Sequence, residues 1–315
     1  MPNIACFVKY IYFDRGGVVW YNRDMNILYC GDVGISRGVL VSILSLIRNG
    51  RKRYDDKAQR MIEDESETVP VYHIYIMTIR YTGVEPFTER ATEFLDKLVK
   101  KTNPNSFVKL IDATDVFEKN LPKKNMGSYF TPCSMLRLYL NKVPELARLD
   151  QVLYLDYDVF CRGSIREYYE MDLSDVEAAG VLDIYGRRFY HYHGLFKQDY
   201  MNSGVMLFNV SECIKSGMFE KAVTLCAKRW MMLADQAALN KAISRRKLVD
   251  RKYNEQEERP RRNTVLHHFS NNFKFWPYFR VQKVKPFEID KIHEVLKITE
   301  YDDILMEYDK LKNKL

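Results

Sequence analysis

The sequence predicts an α/β fold: a central, largely parallel sheet with helices on both faces, followed by a helical C-terminal tail. Through the first half, short apolar runs of strand length alternate with stretches of helical period, the pattern of βαβ units. Acidic and histidine residues gather where those runs end, at Asp32, Asp156, Asp183, His267 and His268. Open parallel sheets take their ligands at that edge. The chain has 315 residues, 46% apolar and 13% aromatic, enough to bury a substantial core.

The elements follow in order. "VKYIYFDRGGVVWYN" predicts a hairpin, Val8 to Phe13 and Val18 to Tyr21, turning at Gly16-Gly17. Residues 1–25 are therefore set apart as an N-terminal extension. "NILYCGD" is a strand ending at Gly31-Asp32, and Ser36 is the expected N-cap of a helix to about Asn49. Residues 51–70 form a charged insertion with few core positions. "VYHIYIMTI" (71–79) and "SFVKLIDAT" (106–114) are strands around a helix from about Pro86 to Lys101. A helix containing "PCSMLRLYL" precedes the strand "QVLYLDYD". "EAAGVLD" (177–183), "SGVMLFNV" (203–210) and "NTVLHHF" (263–269) are further strands, with helices over about 211–229 and 233–244 between the last two. The main domain runs over 26–286. The tail, 287–315, packs on it through Ile292, Leu296, Ile304, Leu305, Tyr308 and Leu311.

Several function classes drop out. No stretch reaches the roughly 18–20 apolar residues of a membrane span; the longest run, Gly38 to Ile47, contains Ser42 and Ser45. Lys9 and Asp14 interrupt any signal-peptide pattern. Cys6, Cys30, Cys133, Cys161, Cys213 and Cys226 form no C-x-x-C pair, so buried reduced thiols are expected. The expected location is the cytoplasm, with the net charge of +7 leaving room for peripheral contact at the inner membrane face. Residues 245–262, rich in both charges, are expected to be a solvated loop. Neither a dinucleotide fingerprint nor a P-loop is present.

"LDYDV" ends an apolar strand with Asp156 and Asp158, which strand alternation places on one face. Burying two such carboxylates unpaired is costly. A solvated turn, an aspartyl nucleophile with a helper acid, or a divalent cation between the two would each relieve the repulsion. The second fits a haloacid-dehalogenase-type phosphatase with Asp156 as nucleophile, but such enzymes usually carry the motif in their first strand. The third fits oxygen ligands for a cation that neutralises a diphosphate leaving group. A histidine ligand favours Mn2+ over Mg2+.

Four other features bear on the choice. Asn202-Ser203-Gly204 precedes a strand with residues small enough for a ligand to approach the backbone. Asp235-Gln236 opens a helix, His268 lies six residues before Lys274, and Arg137 sits on the segment before the D-x-D strand. Singly, each has an ordinary structural explanation.

In order, "FTPCSMLRLYL … QVLYLDYDV … AAGVLDIY … YMNSGVMLFNV … ADQAALN … HHFSNNFKFW" resembles family 8 of the retaining glycosyltransferases, over about Asn26 to Pro277. The resemblance implies a GT-A fold, a Rossmann-like nucleotide-binding domain with a mixed, mostly parallel sheet. It implies retaining transfer of a hexose from a UDP-sugar, UDP-galactose or UDP-glucose, to a glycan, glycolipid or glycoprotein acceptor, as in lipopolysaccharide biosynthesis. It implies Mn2+, with Mg2+ as a substitute, and no nucleic-acid partner. Asp156, Asp158 and His268 would hold the metal, with His267 the competing candidate. Lys274 would meet the diphosphate and Asp32 the uridine. Arg137, Tyr157, Asn202 and Ser203 would line the donor site with them. Asp183, Asp235 and Gln236 are the implied catalytic residues, Gln236 near the anomeric carbon. The chain departs from the family pattern in residues 1–25, in the insertion 51–70, and in Lys274-Phe275-Trp276, where the family has lysine-proline-tryptophan.

Overall fold

The structure is a computed structural model that describes residues 24–126, 132–184, 199–231, 233–274 and 280–315. The hairpin expected over Val8–Tyr21, Cys6 and Trp276 lie outside the described residues. The strands are β1 (Met25–Cys30), β2 (Lys52–Asp55), β3 (Arg60–Glu63), β4 (Tyr72–Thr78), β5 (Phe107–Asp112), β6 (Gln151–Leu155), β7 (Val159–Cys161), β8 (Ala178–Leu182), β9 (Met201–Asn209), β10 (Arg246–Leu248), β11 (Leu266–His268), β12 (Asn272–Lys274) and β13 (Arg280–Gln282). The helices are α1 (Ser36–Asn49), α2 (Glu89–Thr102), α3 (Thr114–Lys119), α4 (Pro144–Ala147), α5 (Arg166–Tyr169), α6 (Val210–Ser216), α7 (Met218–Lys228), α8 (Ala234–Ala242), α9 (Ile289–Lys291) and α10 (Asp302–Leu311).

Seven strands form one sheet in the order β10-β8-β9-β6-β1-β4-β5. All neighbours are parallel except β9, which runs antiparallel to both β6 and β8. The mixed, mostly parallel sheet expected from the sequence is therefore present. The chain leaves β1 for β4 and β5 on one side and returns to β6 on the other. The carboxyl ends of β1 and β6 thus flank a topological switch point, the crevice where such sheets bind ligands.

Strand alternation supplies a core on each face. Ile27 and Tyr29 of β1 join α1, α2 and the tail residues Ile304, Leu305 and Tyr308 in one buried cluster. Leu28 and Cys30 join the 3-10 segment Pro132–Lys142 and helices α6 to α8 in the other. Cys30, Cys133, Cys161, Cys213 and Cys226 are buried free thiols, as expected.

Local details differ from the sequence expectations. Asp32, not Ser36, caps the first helical turn: its carboxylate accepts from Gly34 N, and a 3-10 turn over Val33–Ile35 leads into α1. "PCSMLRLYL" forms 3-10 rather than α-helix. The single helix expected over 211–229 breaks at Gly217, whose φ of +66° suits glycine in the left-handed region. The insertion 51–70 carries the hairpin β2/β3. The run 245–262 is not a solvated loop: Asn254 and Glu255 are fully buried, and Arg251 and Arg261 both pair with Glu255.

Candidate active site and metal centre

Topology brings distant segments to one edge. Asp156 directly follows β6, and Asp183 follows β8. Because β9 is antiparallel, its amino-terminal residues meet the carboxyl ends of those strands. Val205 pairs with Leu155 and Met201 with Leu182, so Asn202, Ser203 and Gly204 lie between the two aspartates. The antiparallel pair β7/β11 puts His268 opposite Val159, next to Asp158.

Each carboxylate of the D-x-D pair is tied by one oxygen. Asp156 Oδ1 accepts from Arg137 Nη2 (2.9 Å) and from the Tyr154 hydroxyl (2.6 Å). Asp158 Oδ2 accepts from Lys285 Nζ at 2.5 Å. The other oxygens face His268, whose Nε2 lies 3.7 Å from Asp156 Oδ2 and 3.4 Å from Asp158 Oδ1. Among the described residues, Asp158 Oδ1 is buried without a hydrogen-bond partner. One ligand atom from each of the three residues falls within 4.8 Å of the others. An unsatisfied buried carboxylate oxygen, a second carboxylate and an imidazole nitrogen converging on one point form a donor set that fits a divalent cation. Gly204 makes room: a Cβ there would lie 2.2 Å from His268 Cε1 and 2.8 Å from Asp156 Oδ2.

The surroundings tune these groups. Burial alone would raise the Asp158 carboxyl, but the Lys285 and His268 charges outweigh it and hold it below the usual carboxylate range. Burial pushes the Asp235 carboxyl up, against the nearby Arg137 and in concert with Asp156. Arg137 links the two acids: its Nε lies 3.3 Å from Asp235 Oδ2, its Nη1 donates to Ser203 O at 2.6 Å, and its guanidinium stacks 3.9 Å from the Tyr154 ring centre.

Gln236 accepts from Ser203 N (3.0 Å) and donates to Asp183 Oδ2 (3.3 Å). Asn202 donates to the same Asp183 oxygen at 3.1 Å. Of the sequence-expected residues, Arg137, Asp156, Asp158, Asp183, Asn202, Ser203, Asp235, Gln236 and His268 thus form one connected cluster. Asp235 is no mere cap, since it is buried and ion-paired. Tyr157 sits between the two aspartates of the D-x-D pair in sequence, its ring centre 5.5 Å from Lys285 Nζ and its backbone close to Gly38 of α1. Asp32 stands at the end of β1 on the same edge of the sheet. Lys274 is on β12, but its side chain lies outside what is described.

His267 is excluded as a ligand. Its Nδ1 meets the Tyr301 hydroxyl and its Nε2 the Glu257 carbonyl, both at 2.9 Å. Burial pushes its pKa down to about 3, Glu257 O opposing and the Arg162 and His268 charges adding to the effect.

Sequence reasoning missed Lys285 and Asn254. Lys285 lies nine residues beyond Trp276, the end of the last recognisable motif, and Asn254 is embedded in the mixed-charge run. Nothing local marks either. Tyr154 was inside the quoted strand, and its place two residues before Asp156, on the same face, was a usable signal.

The sequence profile described as glycosyl transferase family 8 matches residues 26–279. The chain belongs to this family. Among its curated relatives, this family 8 chain is 32% identical to a lipopolysaccharide 1,2-glucosyltransferase of Escherichia coli over 171 residues, 51% of this chain and 49% of the relative. It is 21% identical to a putative glycosyltransferase of Haemophilus influenzae over 229 residues, 70% of this chain and 59% of the relative. These matches span about half of the relatives' length. Among solved structures, an active-site mutant of LgtC superimposes with a TM-score of 0.62 at 16% identity, covering 92% of this chain and all of LgtC. The bifunctional glycosyltransferase WbbM gives 0.60 at 17%, covering 92% of this chain and 52% of WbbM. LgtC in complex with donor and acceptor sugar analogues gives 0.58 at 16%, with 92% and 100% coverage. The family 8 transferase thus has the GT-A fold that the resemblance implied, and the phosphatase alternative is left without support.

Proposed function

We propose that this glycosyltransferase is a Mn2+-dependent, retaining hexosyltransferase that uses UDP-glucose or UDP-galactose and acts on a bacterial glycolipid acceptor at the cytoplasmic face of the membrane. The observation that carries the reading is the convergence of Asp156 Oδ2, Asp158 Oδ1 and His268 Nε2 at the switch point, with Asp158 Oδ1 buried and without a hydrogen-bond partner among the described residues. The kinship with a lipopolysaccharide glucosyltransferase supports the acceptor class. Among the described residues no helix is long and apolar enough to cross a membrane, so the membrane contact proposed is peripheral.

Asp156, Asp158 and His268 would hold the cation, which supplies Lewis-acid neutralisation of the departing diphosphate. Arg137 and Tyr154 keep Asp156 turned with Oδ2 toward the site. Lys285 does the same for Asp158, and Lys274 and Asp32 take the diphosphate and uridine. Asn202, Ser203, Asp183, Asp235 and Gln236 surround the hexose. The Gln236 amide oxygen is engaged by Ser203 N, and an amide is a weak nucleophile beside the carboxylates of covalent glycosidases. This favours attack of the acceptor hydroxyl from the face the diphosphate leaves. The anomeric C–O bond to phosphate breaks as the bond to the acceptor oxygen forms, and the diphosphate oxygen takes the acceptor proton.

The test is UDP release from a panel of UDP-sugars with Mn2+ or chelator. The reading predicts release from one hexose donor, lost with chelator. Release from a non-UDP donor, or full activity in chelator, contradicts it.

A further inference from the structure

Two buried amides, Asn202 and Asn254, connect Asp183 to His268 in a chain whose direction is fixed at its first links. Asp183 Oδ2 accepts from Asn202 Nδ2 at 3.1 Å. Asn202 Oδ1 accepts from the backbone amide of Gly204 at 3.0 Å, and a backbone N–H can only donate. The Asn202 amide is therefore oriented by chemistry at each end, its nitrogen to the carboxylate and its oxygen to the amide. Asn254 lies next, its Nδ2 3.0 Å from Asn202 Oδ1. Facing an acceptor, Asn254 must present its nitrogen there, and its Oδ1 is left 3.1 Å from His268 Nδ1. An amide oxygen cannot donate, so Nδ1 carries the proton. Nε2, on the far side of the ring, is the atom that faces Asp156 and Asp158.

We propose that Asn254 is a positioning residue that keeps His268 protonated at Nδ1, with Nε2 reserved as a metal ligand. This rests on the reading of Asp156, Asp158 and His268 as a metal site. The nitrogen a histidine offers to a metal is set by the hydrogen bond its other nitrogen makes. Asn254 is well placed to set it. It is fully buried, and the residues around it are pinned: Glu255 N donates to Leu266 O at 2.9 Å, His268 N donates to Glu255 O at 2.8 Å, and Arg251 and Arg261 clamp the buried Glu255 carboxylate. Gln256 adds a bond from its Nε2 to Leu182 O, and its Oε1 accepts from Ile184 N. The mixed-charge run is thus a clip that joins the β8 end of the site to the histidine strand.

The test uses the full chain with 15N-labelled histidine, His268 being assigned by the signal lost in His268→Gln. Long-range 15N spectra are recorded metal-free and with Cd2+, a diamagnetic substitute for Mn2+, and Mn2+ affinity is read from the electron paramagnetic resonance of the free ion, with UDP present. In wild type, Nδ1 is protonated in both states, and Nε2 carries no proton once Cd2+ is bound. Asn254→Leu loses the Nδ1–H signature and weakens Mn2+ binding about 10–100-fold. Asn254→Asp keeps an acceptor on Nδ1 but sets its other oxygen against Asn202 Oδ1, so it retains the Nδ1–H signature and binds Mn2+ more tightly than the leucine variant and less tightly than wild type. Should the leucine variant fail to fold, the wild-type and aspartate spectra decide alone. An Nε2–H tautomer in a protein that binds Mn2+ overturns the role of Asn254 and leaves the metal site standing. An Nδ1–H signature in a protein that does not bind Mn2+ overturns the metal reading, and the proposed role with it.

Discussion

Arg137 holds Asp156 by one oxygen only: its Nη2 lies 2.9 Å from Oδ1, while Oδ2 faces His268. The same guanidinium reaches Asp235, so a single cation, itself almost fully buried, compensates two carboxylates beneath the site. Replacing it leaves the buried Asp235 carboxylate and the partly exposed Asp156 without their shared arginine. Arg137→Met is expected to cost about 3–5 kcal/mol of stability, read as a lower denaturation midpoint in urea. An unchanged midpoint would show that the pair contributes nothing.

Lys285 shares Asp158 with the metal position. Its ammonium is on Oδ2, and the cation site is on Oδ1. Lys285→Met should cost about 1–3 kcal/mol without metal, because it strips a buried carboxylate of its donor. The two cations also repel each other. Added Mn2+ should therefore raise the melting temperature of the variant by more than that of wild type. Equal increments would argue against a shared carboxylate.

Gly204→Ala tests the space behind the metal trio. Its Cβ would overlap the His268 ring and crowd Asp156. Apparent Mn2+ affinity should fall at least about tenfold, the size expected when ligand orientation is disturbed, and UDP release should fall with it. Wild-type affinity in a folded variant would mean that His268 is not confined as described.

Away from the site, Glu177 ties the start of β8 to residues 244–245 through Ser244 N and Arg245 N. Burial raises its pKa, but bonds from Ser216, Arg245 and Ser244 outweigh burial and lower it from 4.5. The unfolded chain then binds the proton more readily than the folded one. Glu177 contributes stability above pH 4.5 that is lost as pH falls through the folded value. Glu177→Gln should be less stable than wild type at neutral pH, with the gap narrowing below pH 4.5 in urea titrations. A gap independent of pH would contradict this.

Much of the site was readable because its residues sit at strand ends. Asp156 and Asp158 closed an apolar run, and Asn202-Ser203-Gly204 opened one. The direction of β9 was not readable, since alternation is the same in parallel and antiparallel strands, yet that direction brings Asn202 to Asp183. The choice between His268 and His267 rests on the β7/β11 register, a long-range pairing. The 3-10 form of Pro132–Lys142 was hidden by its dense apolar sequence, which satisfies a helical period of either kind. Asn254 and Lys285 act through partners remote in sequence, and a charge run of both signs looks the same whether it faces water or, like Glu255, is buried among arginines.

The most direct test of the account is calorimetric titration of UDP into wild type and Asp158→Asn, each with Mn2+ and with chelator. The account predicts binding to wild type with Mn2+ and loss of that binding both in chelator and in the variant. UDP binding that is unchanged by chelator and by Asp158→Asn would contradict the central claim, that Asp156, Asp158 and His268 are a metal clamp for a nucleotide diphosphate.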